Sequence, residues 1–145
     1  MFTIQCESLT EDLRKKVFEG FSRHAIKTTG HDGFRPVEHA FIAYDDGTFA
    51  GTVVVEFFWG ALGVKYVYVD DKYRNHGLGS RLMKSALDFG REHNCPFAFV
   101  STMSFQALGF YQKMGFQLEF TRTGYAYDTS LHFLRKDLIN QTKHT

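Results

Sequence analysis

Three residues in the stretch YRNHGLGSRLM, from Tyr73 to Met83, have the types and spacing that suit phosphate binding. They are Arg74, Gly77 and Gly79, and they lie where an apolar, strand-like run gives way to an amphipathic helical pattern. A helix N-terminus presents unpaired N–H groups and the positive end of the helix dipole, so it stabilises an anion. Glycine lets the backbone approach that anion closely, and arginine adds a charge-assisted hydrogen bond. The stretch therefore predicts a pyrophosphate site.

Two other phosphate-binding motifs fit this stretch poorly. The dinucleotide fingerprint requires a third glycine where Leu82 stands, and it requires an opening strand–helix–strand unit. The Walker motif requires its last glycine to be followed by lysine and then serine or threonine, whereas the sequence here is Gly79-Ser80-Arg81. An isolated Gly-x-Gly is most often a simple helix start, so the loop needs support from another part of the chain.

A second motif, FQALGFYQKMGF, provides that support. It places the pair Phe110 and Tyr111 on a short helix that ends at Gly115, followed by Phe116. Together, VYVDDKYRNHGLGSRLM and FQALGFYQKMGF resemble the two sequence marks of the GNAT family of N-acetyltransferases. The resemblance is close over about residues 64–120, and the first 40 residues carry little of it.

The resemblance implies an α/β fold in which helices flank both faces of a mixed, mostly antiparallel sheet. It implies acetyl-CoA as co-substrate and direct transfer of the acetyl group to a primary amine of a small molecule or peptide. In this family the central strand bulges, parts from its neighbour and admits the pantetheine arm. That bulge is expected near Val67, Tyr68 and Val69, with the N–H of Val69 stabilising the oxyanion. The other expected cofactor-binding residues are Arg74, Asn75, His76, Gly77, Leu78, Gly79, Ser80 and Ser104.

Two of these positions leave alternatives open. Ser104 stands where the family often has an asparagine, and Gln106 is the other candidate for that contact. The ring of His76 either contacts phosphate or points into solvent.

A bound amine also has to lose a proton, because a lysine-type amine with a pKa of about 10.4 is mostly protonated at neutral pH.

Tyr111 and Glu56 are the expected proton-transfer residues. Tyr111 matches the family motif and would protonate the departing thiolate; the alternative is a tyrosine that only packs in the core. Glu56 interrupts the apolar run TVVVEFFW, where a partly desolvated carboxylate could accept the proton of the amine. The alternative for Glu56 is an exposed side chain on the outer face of its strand or at an edge.

The hydrophobic pattern predicts the elements that position these residues. Apolar residues alternate in FTIQCES, and HAFIAY and TFAGTVVVEFFW are further strand-like runs. Apolar residues recur at helical spacing after Thr10 and after Gly77. Asp45-Asp46-Gly47 is typical of a hairpin turn. The predicted order is β-α-β-β-β-α-β-α-β-β, within one acetyltransferase domain of residues 1–145.

Composition narrows the function further. The chain has 145 residues and a formal net charge of +1, with 17 basic and 16 acidic residues. No basic stripe or long apolar run indicates a nucleic-acid or membrane partner, and a cytoplasmic location is expected. Cys6 and Cys95 are expected to be buried thiols, and no metal site is predicted. A non-catalytic CoA-binding module is the alternative function, and homodimer formation is left open.

Overall fold

The structure is a computed structural model that describes residues 1–33 and 37–139. The chain divides into two compact units, Met1–Pro36 and Val37–Thr145. The helices and strands, in chain order, are α1 (Glu11–Thr29), β1 (Glu38–Asp45), β2 (Thr48–Phe58), β3 (Ala61–Val69), α2 (Leu78–Glu92), β4 (Phe97–Met103), α3 (Leu108–Lys113), β5 (Gln117–Tyr125) and β6 (Thr129–Asp137).

The first unit contains helix α1, which begins after Thr10 as its sequence predicts and runs to Thr29. The Thr10 hydroxyl accepts a hydrogen bond from the N–H of Leu13 at 3.1 Å, and Gly30 ends the helix with a φ of 83°. The predicted strand at residues 2–8 is wrong. Among the described residues no strand pairs with this segment, and Phe2 and Ile4 are each 97% exposed. Alternation alone does not make a strand, because its backbone groups need a neighbour.

The second unit is built on a six-stranded sheet in the order β1-β2-β3-β4-β6-β5. Every neighbouring pair is antiparallel except β3 and β4, which run parallel. The mixed, mostly antiparallel sheet with flanking helices confirms the predicted fold class. Asp46 and Gly47, with φ values of 47° and 86°, form the predicted hairpin turn between β1 and β2.

Helix α2 holds its N-terminus in place by packing against the sheet. Its buried residues include Leu82, Met83 and Ala86, which join a core that also contains Val55 of β2 and Leu62 of β3. The predicted spacing of apolar residues on this helix is therefore confirmed. This packing fixes the position of α2, and with it the end of the loop that follows β3.

The cysteines differ from each other in burial. Cys95 belongs to the core, and burial raises the pKa of its thiol. The expectation of a buried Cys6 is wrong, since that residue is exposed in the segment that does not form a strand. No helix in the described ranges is long and apolar enough to cross a membrane.

Candidate active site

A cleft opens where β3 and β4 part. Among the described residues these strands pair at Leu62–Ala98 and Gly63–Phe99 and nowhere further along. Beyond these pairs a cavity of about 1010 Å³ lies between the strands and the start of α2. The expectation that the central strand parts from its neighbour is therefore confirmed.

The bulge in β3 lies at Lys65. Val54 and Val55 of β2 pair with Tyr66 and Val64, so Lys65 is the extra residue in β3. The expected bulge at residues 67–69 is wrong by two positions. Its signal in the sequence is the break in alternation, because Lys65 and Tyr66 are consecutive and both exposed.

The strand register decides which backbone groups face the cleft. The N–H of Asp70 donates to the carbonyl oxygen of Ala50 at 2.9 Å, so these residues form a hydrogen-bonded pair. Hydrogen-bonded and non-hydrogen-bonded pairs alternate along antiparallel strands. Val69 and Val67 pair with Gly51 and Val53, and both therefore occupy non-hydrogen-bonded positions. Their N–H groups point away from β2 and toward the gap.

The opposite end of the cleft is the N-terminus of α2. Gly77 precedes the helix with a φ of 77°, and Asn75 also has a positive φ, of 67°. The N–H of Arg81 donates to the carbonyl oxygen of Gly77 at 3.1 Å, which is the first hydrogen bond of the helix. The N–H groups of residues 78–80 therefore have no partner within the helix, and no acidic side chain occupies its first turn. This arrangement suits an anion.

Arg74 lies at the rim of this helix start. Its Nε donates to the carbonyl oxygen of Val69 at 3.0 Å, and its Nη2 lies 3.1 Å from Asp71 Oδ1. The side chain is 56% exposed. These contacts hold a guanidinium beside the helix N-terminus, where it adds positive charge.

Gly79 brings α2 and α3 close together. A Cβ at this position would lie 3.4 Å from the Phe110 ring and 3.6 Å from Val69 Cγ2. Both are ordinary van der Waals distances, so a single methyl group would fit here and the packing does not by itself require glycine. Phe110 in turn contacts Tyr111, with ring centroids 5.3 Å apart.

Tyr111 forms part of the cleft wall on α3. Its ring is buried between Phe110 and Phe116. Among the described residues no hydrogen-bond partner reaches its hydroxyl group. Burial raises the pKa of Tyr111 above its ordinary value, so the phenol stays protonated at neutral pH. It is a proton donor by its chemistry and faces the cavity.

Ten of the thirteen predicted site residues line this cleft, and Glu56, His76 and Ser104 do not. The Ser104 hydroxyl accepts a hydrogen bond from the N–H of Ser130 at 3.0 Å, which ties the end of β4 to the start of β6. His76 is exposed in the loop. Glu56 lies on β2 with its carboxylate 3.3 Å from Lys65 Nζ.

Other residues lining the cleft were not predicted as site residues. They include Lys65 and Tyr66 at the bulge, Thr102 of β4, and Lys113 at the end of α3. Gln106, which was named as the alternative to Ser104, also lines the cleft, and its Oε1 accepts a hydrogen bond from the N–H of Met103 at 2.9 Å. The parting of the strands brings these residues together, and no local motif marks it.

Comparisons with known proteins agree with this geometry. The model of the acetyltransferase (GNAT) family matches residues 6–116. The blasticidin-S acetyltransferase of Streptomyces morookaense is 36% identical over 117 residues, which are 79% of this chain and 86% of that protein. The crystal structure of nourseothricin acetyltransferase is 30% identical with a TM-score of 0.63, over 70% of this chain and 66% of that one.

A further solved structure shows the fold over nearly the whole chain. An acetyltransferase from Bacillus cereus ATCC 14579 has a TM-score of 0.80 at 21% identity and covers 94% of this chain and 99% of that one. Members of the matched family take the acetyl group from acetyl-CoA, whose pyrophosphate is an anion of the kind that the α2 N-terminus suits. On the family match and the relatives together, this chain belongs to the GNAT family of acetyl-CoA-dependent N-acetyltransferases.

Proposed function

We propose that the protein acetylates a primary amine of a small molecule and that blasticidin S is the first acceptor to test. One structural observation carries this proposal: a single cleft joins a helix N-terminus suited to phosphate to the buried phenol of Tyr111. The choice of acceptor is supported by the relatives named for blasticidin S and nourseothricin. The family match runs across both compact units, which supports a single acetyltransferase domain of residues 1–145.

Acetyl-CoA would lie along the cleft with its pyrophosphate at α2. The N–H groups of residues 78–80 and the guanidinium of Arg74 would bind that pyrophosphate. The pantetheine arm would occupy the gap between β3 and β4, where the N–H groups of Val67 and Val69 point. One of these groups would stabilise the oxyanion as the amine attacks. Gln106 replaces Ser104 as the polar contact at the end of β4, because it lines the cleft and Ser104 does not.

The chemistry requires protons to leave the attacking nitrogen and one proton to reach the departing sulfur. The nitrogen of the acceptor attacks the thioester carbonyl carbon, the carbon–sulfur bond breaks, and CoA leaves as a thiolate. Tyr111, with its raised pKa, would give that thiolate a proton. Glu56 is retained as the proposed acceptor of the ammonium proton, although its position outside the cleft lining requires the amine to approach from the Lys65 side.

An amine panel tests the proposal directly. Wild-type protein is incubated with acetyl-CoA and with blasticidin S, streptothricins, polyamines or peptide amines, while release of free thiol is followed. Thiol release that depends on the amine, with acetylated product seen by mass spectrometry, would support the proposal. Transfer to peptide amines alone would contradict the small-molecule assignment. Binding of acetyl-CoA without transfer to any amine would return the non-catalytic module to consideration.

A further inference from the structure

Lys65, the bulge residue, holds together two carboxylates from two other strands. Its Nζ lies 3.1 Å from Glu38 Oε2 on β1 and 3.3 Å from Glu56 Oε1 on β2. The two glutamates are direct neighbours in the register of β1 and β2. Hydrogen bonds to Glu38 and then to Glu56 raise the pKa of Lys65 above its ordinary value. An alkylammonium group thus sits between two carboxylates that it cannot both neutralise.

Lys65 links this group to the end of the cleft where transfer would take place, whereas Glu38 and Glu56 lie outside the cleft lining. Lys65 lines the cavity and is two residues from Gly63, the last residue of β3 paired with β4. The helix N-terminus is at the other end, beside Val69. Val69 lies four positions after Lys65 along the strand, a distance of about 13 Å. With the pyrophosphate at α2, the acetyl end of an extended cofactor would point toward Lys65.

The acceptor reaches this end of the cleft as a cation. A primary alkylamine has a pKa of about 10.4, so at neutral pH it carries the same ammonium group as a lysine side chain. The side chains of Glu38 and Lys65 are 51% and 36% exposed, so solutes have access to the group. Glu56 is more enclosed, at 17%. A site that holds one alkylammonium can hold another.

We propose that Glu38 and Glu56 form the binding site for the ammonium group of the acceptor and that Lys65 occupies this site when no acceptor is bound. The ammonium group of Lys65 then competes with that of the acceptor for the two carboxylates, and this competition lowers the affinity for cationic acceptors. This inference rests on the proposed transfer to a primary amine. Once the acceptor has displaced Lys65, its ammonium proton passes to Glu56, and the neutral amine attacks the thioester. The thiolate takes a proton from Tyr111, the second proton that leaves the nitrogen as the amide forms restores that phenol, and Glu56 passes the first to solvent. One proton is therefore released per acetyl group.

Calorimetric titration tests the competition without any reaction. Butane-1,4-diamine is titrated into the complex of the protein with CoA, which has no acetyl group to transfer. Lys65→Met keeps the length of the side chain and removes its charge, and Lys65→Arg keeps the charge as the matched control. We expect the methionine variant to bind the diamine about two- to fivefold more tightly, since partly exposed ion pairs are weak. The arginine variant should bind it like wild type, and CoA affinity should be unchanged in both.

Three results would overturn the inference. The first is diamine binding in Lys65→Met that is equal to or weaker than in wild type, and the second is the absence of binding in all variants. The third is a loss of CoA affinity in Lys65→Met, which would make Lys65 a support for the bulge. Glu38→Gln adds an independent measurement, because it removes one carboxylate and should weaken diamine binding. The thiol-release assay tests acetyl transfer separately, so failure of the proposed function is distinguishable from failure of the competition.

Discussion

Replacement of Tyr111 by phenylalanine tests the proposed proton donor, because it removes the phenol hydroxyl and keeps the ring. The ring packs against Phe110 and Phe116, with centroids 5.3 and 5.8 Å away, and phenylalanine keeps both contacts. Among the described residues no partner bonds the hydroxyl, so its removal leaves no buried group unsatisfied. The free energy of unfolding should therefore not fall. Any loss of activity in this variant can be assigned to chemistry.

The size of that loss follows from the role of the phenol. Positioned proton donors typically contribute about 10²–10⁴-fold in rate, which is about 2.7–5.4 kcal/mol at 1.36 kcal/mol for each factor of ten. Turnover with saturating acetyl-CoA and amine is measured by thiol release, and CoA affinity by calorimetry. Turnover should fall within that range, and CoA affinity should stay as in wild type. Tyr127→Phe, at a residue that is 97% exposed and does not line the cleft, is the matched control.

The pH dependence provides a second measurement on the same variant. The donor is the protonated phenol, which is present below its pKa and lost as pH rises through it. Because burial raises the pKa of Tyr111, wild-type activity should not decline from this cause until the pH exceeds about 10, the ordinary tyrosine value. The phenylalanine variant should lack that decline. Turnover of Tyr111→Phe within about twofold of wild type, far short of the expected loss, would refute the reasoning and leave Tyr111 as a packing residue.

Three further substitutions examine the rest of the site. Gly79→Glu places bulk and negative charge at the start of α2 and should abolish CoA binding by calorimetry, whereas Ser85→Glu, an exposed position on the same helix, should not; unchanged affinity in a folded Gly79→Glu protein would exclude this pyrophosphate site. Glu56→Gln should lower turnover most at low pH, where neutral amine is scarce, and an unaltered pH–rate profile would remove Glu56 from the mechanism. Gly51→Ala places a Cβ 2.8 Å from a backbone oxygen of β3 and should lower the free energy of unfolding, measured with denaturant, by about 1–3 kcal/mol. Gly20→Ala inside α1 is the control and should raise that free energy by up to about 1 kcal/mol. Equal free energies of unfolding in the two variants would contradict the close approach at Gly51.

Features that depend on neighbouring residues could be predicted from the sequence. The positive φ at Gly77, the cap at Thr10 and the turn at Gly47 each need one suitable residue at one position. The spacing of apolar residues in α2 likewise predicts which face of this helix is buried. The conformation of the loop between β3 and α2 could therefore be predicted, because all of its determinants lie within a few residues.

Features that depend on distant partners could not be predicted. Ser104 has the right chemistry for a cofactor contact, but it is bonded to Ser130 on another strand. Lys65 is the bulge residue of β3, and its side chain pairs with glutamates on two other strands, β1 and β2. The segment at residues 2–8 has the alternation of a strand, yet no described strand pairs with it. In each case a long-range contact decides the outcome, and the local pattern does not encode it.

Among the described residues β3 and β4 are joined by two residue pairs, so the pairing of the sheet is shortest between these strands. One half consists of β1, β2 and β3, the other of β4, β6 and β5, and two residue pairs form the backbone seam between them. A pantetheine arm that bonds to Val67 and Val69 would act as a partial seventh strand and extend that seam. The bound cofactor would then supply hydrogen bonds that the sheet lacks between β3 and β4. Acetyl-CoA at a hundred times its dissociation constant would raise the free energy of unfolding by about 2.7 kcal/mol. Protein saturated with acetyl-CoA would thus unfold at a higher temperature than the free protein.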